Sequence, residues 1–180
     1  IGYTLQITVP AVLLSAGIGL LWGLRCGYKK GGLADRLSTA TLIVFNAVPT
    51  FLIGLGLMIV FCFQNRLLPY TGLNSPETVR GTVGYVWDRV LHLLLPVGTL
   101  TALPSRYLLV RNMAASASDG KDILYAKQRG LPDSVIRRDY LLRSIAQPFL
   151  TMLGMSVSLC VGGSVVIEKI FSIGGMGSLL

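Results

Sequence analysis

The sequence predicts an all-α, polytopic membrane helix bundle, and three observations carry that prediction. Hydrophobic residues make up 52% of the 180-residue chain and charged ones 13%, against about 25% charged in an ordinary soluble domain. Four segments reach the roughly 20 apolar residues that a bilayer-crossing helix needs. All but Arg106 and Lys169 of the 16 basic residues stand between those segments, so the formal net charge of +8 reads as membrane topology rather than nucleic-acid binding.

The four predicted spans run over about 3–24, 38–63, 90–110 and 148–167 of one transmembrane domain, 1–180, with a cytoplasmic coupling loop at 111–147. The first, second and fourth contain no Asp, Glu, Lys or Arg. The third contains Arg106 near one end, where a long side chain can snorkel to the headgroups, and His92 near the other, where a structural role outweighs a ligand role. The loop Arg25–Leu37 and the stretch Arg111–Gln147 together carry 11 basic residues, against 4 in Gln64–Arg89 and the segment after the fourth span. The positive-inside rule places the two basic stretches in the cytoplasm and both chain ends outside. The chain opens on Ile1 rather than Met, and residues are expected to be missing before it.

Small residues mark the expected helix contacts. Gly19 and Gly23 form a GxxxG step, and Gly154, Ser158 and Gly162 form a stripe at helical spacing; both let backbones approach where lipid supplies no hydrophobic drive. Pro49, Pro96 and Pro104 are expected to kink the second and third spans. Asn46, one turn before Pro49, is read either as helix–helix glue or as lining a pathway. Cys26, Cys62 and Cys160 lie far apart with no CxxC or Cys/His cluster, so they read as small apolar fillers rather than a metal site or disulfide framework.

The stretch from Arg111 to Gln147 reads as two short helices around a break. Asp119 or Ser118 is placed to cap the first, over Asp122–Arg129, with Gly130 as its stop. Pro132 and Asp133 suit the start of the second, which sets Val135, Ile136, Leu142, Ile145 and Ala146 against Arg137, Arg138, Asp139 and Arg143. A basic interfacial helix on lipid and a docking element for a soluble partner both fit this pattern. A nucleic-acid patch does not, for want of an aromatic stacking platform.

The run Tyr125-Ala126-Lys127-Gln128-Arg129-Gly130-Leu131-Pro132-Asp133 resembles the EAA loop of ABC importer permeases, in the version found in dipeptide, oligopeptide and nickel permeases. The resemblance covers nearly the whole chain. Gly27 to Arg36 is similar to the family's first cytoplasmic loop, Val48-Pro49-Thr50-Phe51 to a motif of its second span, and Leu67-Leu68-Pro69-Tyr70-Thr71-Gly72 to an external turn. His92-Leu93-Leu94-Leu95-Pro96 is similar to the entry of its third span, and Glu168-Lys169-Ile170-Phe171-Ser172 with Gly175-Met176-Gly177 to its closing motif. There are departures. Gly174 replaces the usual Pro, which implies a looser turn; Pro132 stands where a Ser-like cap is common; and the Glu-Ala-Ala triplet is Leu124-Tyr125-Ala126. The family has one more span on either side, in keeping with two external ends.

The resemblance implies a permease subunit that carries peptides, or nickel complexes, across a bacterial-type cytoplasmic membrane. It implies a homologous sister permease, two cytoplasmic ATPase subunits and an external solute-binding protein as partners. The chain holds no GxxxxGK[ST] phosphate loop; it is expected to be no enzyme and to hold no cofactor, with ATP bound by the partner. The implied ATPase-coupling residues are Tyr125, Ala126, Lys127, Arg129, Gly130, Leu131 and Asp133, with Lys127 and Arg129 as polar partners and Leu131 as an apolar plug. Gly130 is needed either for the turn or for the close approach of the partner. The external segments Leu68–Gly72 and Glu168–Gly177 would meet the binding protein, form a gate, or serve only as interfacial turns. Two other classes fit less well: a secondary transporter lacks its intramembrane ionisable residue, and an intramembrane protease lacks its paired catalytic groups.

Overall fold

The computed structural model describes residues 2–101 and 105–178, with side chains other than 105, 158–161 and 178. Its helices are α1 (Gly2–Tyr28), α2 (Leu33–Ala47), α3 (Thr50–Met58) with a π turn (Ile59–Gln64), α4 (Val83–Thr101) and α5 (Ser105–Ala117), followed by α6 (Lys121–Gln128), α7 (Asp133–Val135) with a π turn (Ile136–Leu141), and α8 (Leu142–Ile170). No strand occurs among the described residues. By length and composition α1 alone suffices to cross a membrane. Three broken stretches, Leu33–Gln64, Val83–Ala117 and Asp133–Ile170, reach the same standard as pairs, giving up to four spans. The helical bundle expected from the apolar runs is therefore present, with the second run broken at Pro49, which precedes α3 with its backbone extended. Pro96 lies inside α4, which runs on through it. Pro104 lies outside the described residues.

The described residues group into two compact units. The first holds 2–13, 48–101 and 156–178. Ile7, Ala11, Met58, Cys62, Leu95, Leu100, Ile167 and Phe171 form its core. Gly54 lets α3 approach α4: a Cβ there would stand 3.1 Å from Thr99 Cγ2. The loop ahead of α4 is held by the Asp88 carboxylate, which accepts from Ser75 N–H at 2.7 Å and Ser75 Oγ at 2.9 Å. His92 donates from Nδ1 to the Asp88 carbonyl at 2.8 Å.

The segments 68–72 and 168–177 meet in this unit. Gly72 N–H donates to the Phe171 carbonyl at 3.0 Å, and Tyr70, Thr71, Asn74, His92 and Ser172 line a cavity of about 430 Å³ beside them. The turn around Gly174 is not loose. The buried Glu168 takes the Gly177 N–H on Oε2 at 2.7 Å and the Ile173 N–H on its carbonyl at 2.8 Å, and Met176 N–H donates to Thr4 Oγ1 at 3.1 Å.

The second unit holds 14–47 and 105–155. Its core is Leu24, Tyr28, Val110, Ala114, Ile123, Ala126, Ile136, Leu141, Ile145 and Met152. Helices α1 and α5 touch along glycines. A Cβ on Gly19 would stand 3.2 Å from the Arg106 and Tyr107 backbone, and on Gly23 2.9 Å from Val110 Cβ. On Gly27 it would stand 2.6 Å from both Ala114 Cβ and the Arg111 carbonyl. The GxxxG step thus extends one further turn, to Gly27. Gly154 and Gly162 differ, since each is exposed with no atom within 4 Å of such a Cβ; among the described residues they pack against nothing. The Ser158 side chain lies outside the described residues. Asn46 is exposed on α2. Arg106 is buried in the unit rather than snorkelling outward.

The turn from α1 to α2 is locked to α5 through an ion pair. Asp35, 2% exposed, accepts from Arg111 Nε at 2.8 Å and Nη2 at 2.6 Å, and from Gly31 N–H at 2.9 Å. A bidentate fork of this kind satisfies both carboxylate oxygens, which a buried acid requires.

Candidate coupling site

The helix–Gly–helix element expected between the third and fourth spans is present in the second unit, as α6, the break at 129–132, and α7. Neither Asp119 nor Ser118 caps α6. Gly120 is the N-cap, without a side-chain hydrogen bond; Asp119 pairs with Lys30 and Ser118 Oγ donates to the Ala115 carbonyl at 2.8 Å. A sequence pattern shows which side chains are able to cap, but a distant lysine competing for one of them is not visible in it.

The C-terminal stop is built as expected. Gly130 N–H donates to the Lys127 carbonyl at 2.9 Å, and Leu131 N–H to the Ala126 carbonyl at 3.3 Å. These are the paired 5→2 and 6→1 bonds of a Schellman motif, whose C′ residue adopts the left-handed conformation. Gly130 has φ +71°, so glycine is required by the turn. A Cβ there meets nothing within 4 Å, so the chain itself leaves room for a side chain.

The second arm departs from the expected apolar face. Ile136, Leu141 and Ile145 are its fully buried residues, whereas Val135, Leu142 and Ala146 are half-buried. At α-helical spacing from Ile136 the inward positions would fall on Asp139, Tyr140 and Arg143. The π turn over Ile136–Leu141 adds one residue to the turn and brings Leu141 inward instead. The arm then runs into α8 without a boundary at Pro148, which sits exposed inside the helix. Proline costs the helix one backbone bond.

The implied coupling residues divide into two groups. Ala126 is 1% exposed and with Ile123 faces the unit's own core, so it cannot touch a partner directly. Leu131 is half-buried against that core. Lys127 directs its ammonium over the Tyr28 ring, 4.9 Å from the centroid. Asp133 accepts from the Tyr28 hydroxyl at 2.8 Å and pairs with Lys29 at 3.5 Å. The Tyr28 hydroxyl, more than Lys29, holds the Asp133 carboxyl below the usual aspartate range.

The outward group is Tyr125, 61% exposed, with Arg129 and Gly130; Lys127 and Asp133 are exposed as well, beside their contacts with Tyr28. Leu124 joins it at 54% exposure, a position that sequence reasoning passed over. Between α6 and the second arm lies a groove of about 760 Å³ lined by Tyr125, Arg129, Asp139, Tyr140 and Arg143. Among the described residues no group of three or more His, Cys, Asp or Glu could hold a metal ion. The arrangement is that of an element anchored on one face and exposed on the other.

Comparison with known proteins agrees with this geometry. Residues 18–180 match the family described as binding-protein-dependent transport system inner membrane component. The chain is 27% identical to the probable peptide ABC transporter permease protein y4tP of Sinorhizobium fredii, over 98% of this chain and 55% of that protein. It is 27% identical to the dipeptide transport system permease protein DppB of Lactococcus lactis subsp. cremoris, over 97% and 54%. It is 28% identical to the glutathione transport system permease protein GsiC of Pectobacterium atrosepticum, over 98% and 54%. The chain spans about half the length of these relatives. With a family match over nearly the whole chain, residues at the expected places along it, and a helix–Gly–helix element between the third and fourth apolar stretches, this chain belongs to the binding-protein-dependent transport system inner membrane components.

Proposed function

We propose that the chain forms part of the translocation pathway of an ATP-driven importer in a bacterial-type cytoplasmic membrane, as one of its permease subunits. Its substrates are peptides: the relatives named above carry peptide, dipeptide and glutathione in their names, and this supports peptides ahead of nickel complexes. Its partners are a homologous permease, two cytoplasmic ATPase subunits that bind the ATP, and an external solute-binding protein. The observation that carries the reading is the α6–Gly130–α7 knob, anchored through Ile123, Ala126 and Ile136 and exposing Leu124, Tyr125 and Arg129.

In this reading Leu124, Tyr125, Arg129 and the bare Gly130 turn meet the ATPase, while Ala126, Lys127, Leu131 and Asp133 hold the knob to its own chain. Because the anchor is a packed core, the knob moves with the neighbouring ends of α1, α5 and α8 as one body. ATP drives the transition because the ATPase pair presents a different surface to the knob in its open and closed states, and a ligand shifts an equilibrium only through such a difference.

The test is purification of the complete parent chain from its native membrane, with Gly130→Arg alongside. A Walker-type ATPase and a homologous permease accompanying the wild type, with the ATPase lost from the variant, support the reading. A chain that purifies alone and still moves solute in vesicles without ATP is a secondary transporter, and the proposal fails.

A further inference from the structure

The knob has two covalent routes into the membrane part of its unit, through the link to α5 and through α8. It has a third that is not covalent. Tyr28, the last residue of α1, is 105 residues from Asp133 in sequence and donates its hydroxyl to that carboxylate at 2.8 Å. Its ring, 7% exposed, lies 4.9 Å from Lys127 Nζ and 5.8 Å from Arg137 Cζ. One cation comes from each side of the Gly130 break, and the carboxylate opens the second arm. All three contacts are with the knob.

The placement of the ring follows from the residue before it. Gly27 leaves no space for a Cβ against Ala114 and the Arg111 carbonyl, so the end of α1 lies hard against α5. The first side chain beyond that contact is the tyrosine. Its contacts are directional. A cation over an aromatic face and a hydrogen bond to a carboxylate resist separation as well as approach, so they pass on a pull as readily as a push.

We infer that Tyr28 is a positioning residue of the coupling element, tying both arms of the knob to the end of α1 so that displacement of the knob is passed directly to the first span. The inference rests on the coupling reading proposed above. It assigns Lys127 and Arg137 to the clamp rather than to the partner's surface.

The experiment uses the complete importer in lipid nanodiscs, with ATP hydrolysis measured with and without the solute-binding protein. Tyr28→Phe keeps the ring and loses the hydrogen bond, and Tyr28→Leu loses both. Asp133→Asn still accepts from the hydroxyl, and Asp133→Leu does not. The expected result for Tyr28→Leu is an ATPase that stays bound, unstimulated hydrolysis within about twofold of wild type, and stimulation by the binding protein reduced at least about fivefold. Tyr28→Phe falls between the two. Asp133→Asn keeps the stimulation that Asp133→Leu loses.

Full stimulation in Tyr28→Leu and Asp133→Leu overturns the inference and leaves the coupling reading standing. So does a proportional fall of both rates, or loss of the ATPase from Tyr28→Phe, because Tyr28 then only holds the fold together. A wild-type complex without any ATPase overturns the coupling reading and the inference with it. If Tyr28→Leu does not assemble, the Tyr28→Phe, Asp133→Asn and Asp133→Leu results decide.

Discussion

Alanine at Gly19, Gly23 and Gly27 should destabilise the second unit in that order, and the distances say by how much. Alanine at a glycine inside a helix gains about 0.5–1 kcal/mol of helix propensity. At Gly19 the new methyl would stand 3.2 Å from the α5 backbone, a contact relieved by a shift of a few tenths of an ångström. The two effects nearly cancel, and the net change is within about 0.5 kcal/mol, the usual range for a tolerated substitution. At Gly23 the methyl meets Val110 Cβ and Cγ1 at 2.9 Å. Valine is stiff about χ1, so relief needs backbone movement.

At Gly27 the methyl stands 2.6 Å from a backbone carbonyl and from another Cβ. Neither can rotate away, and Gly27 is one residue from the end of α1, where the propensity gain is smallest. Overpacking of this kind costs about 1–3 kcal/mol, with Gly27→Ala at the top of the range and Gly23→Ala below it. Thermal unfolding of the complete parent chain in mild detergent, at a fixed detergent ratio, measures the order. Gly27→Ala as stable as Gly19→Ala would mean that α1 and α5 do not approach along this row, and the glycine argument would be wrong.

Three further outcomes follow from the same structure. Asp35→Ala leaves the Arg111 guanidinium without its carboxylate and should cost about 3–5 kcal/mol; adding Arg111→Met should recover a large part of it, and a double-mutant cycle on unfolding measures the coupling. Leu124→Ala and Tyr125→Ala remove exposed side chains, so stability should stay within about 0.5 kcal/mol while the ATPase is lost on purification. Glu168→Ala strips the acceptor from the Gly177 N–H, an unmade buried bond worth about 1–3 kcal/mol, and limited proteolysis should then cut the 171–178 turn faster.

Much of this protein was legible in its sequence because the signals are local. An apolar run is long enough to span or it is not, and charge between runs is read by counting. Gly130 announces a helix stop because a left-handed residue is needed there whatever surrounds it. The knob was therefore visible, together with its coarse anatomy of two arms and a break. Its orientation was not visible, since Ile136 and Ile145 stand nine residues apart, on opposite faces at α-helical spacing, and only the π turn brings both inward.

Only tertiary structure decided which residues of the knob are exposed and which face the chain itself. Ala126 and Leu131 sit in the same short motif as Tyr125 and Arg129, yet the first is buried, the second half-buried, and the last two are exposed. Leu141 entered the core through a π turn, which shifts helical phase by one residue and leaves no mark in a hydrophobic pattern. Asp119 was taken from its capping role by Lys30, 89 positions away. Asp35 found Arg111 at a separation of 76, and Tyr28 found Asp133 at 105. Each of these depends on the side chain that the fold brings alongside. Sequence spacing carries information over one or two helical turns, and beyond that distance proximity is set by the packing of helices, to which every residue in the interface contributes at once.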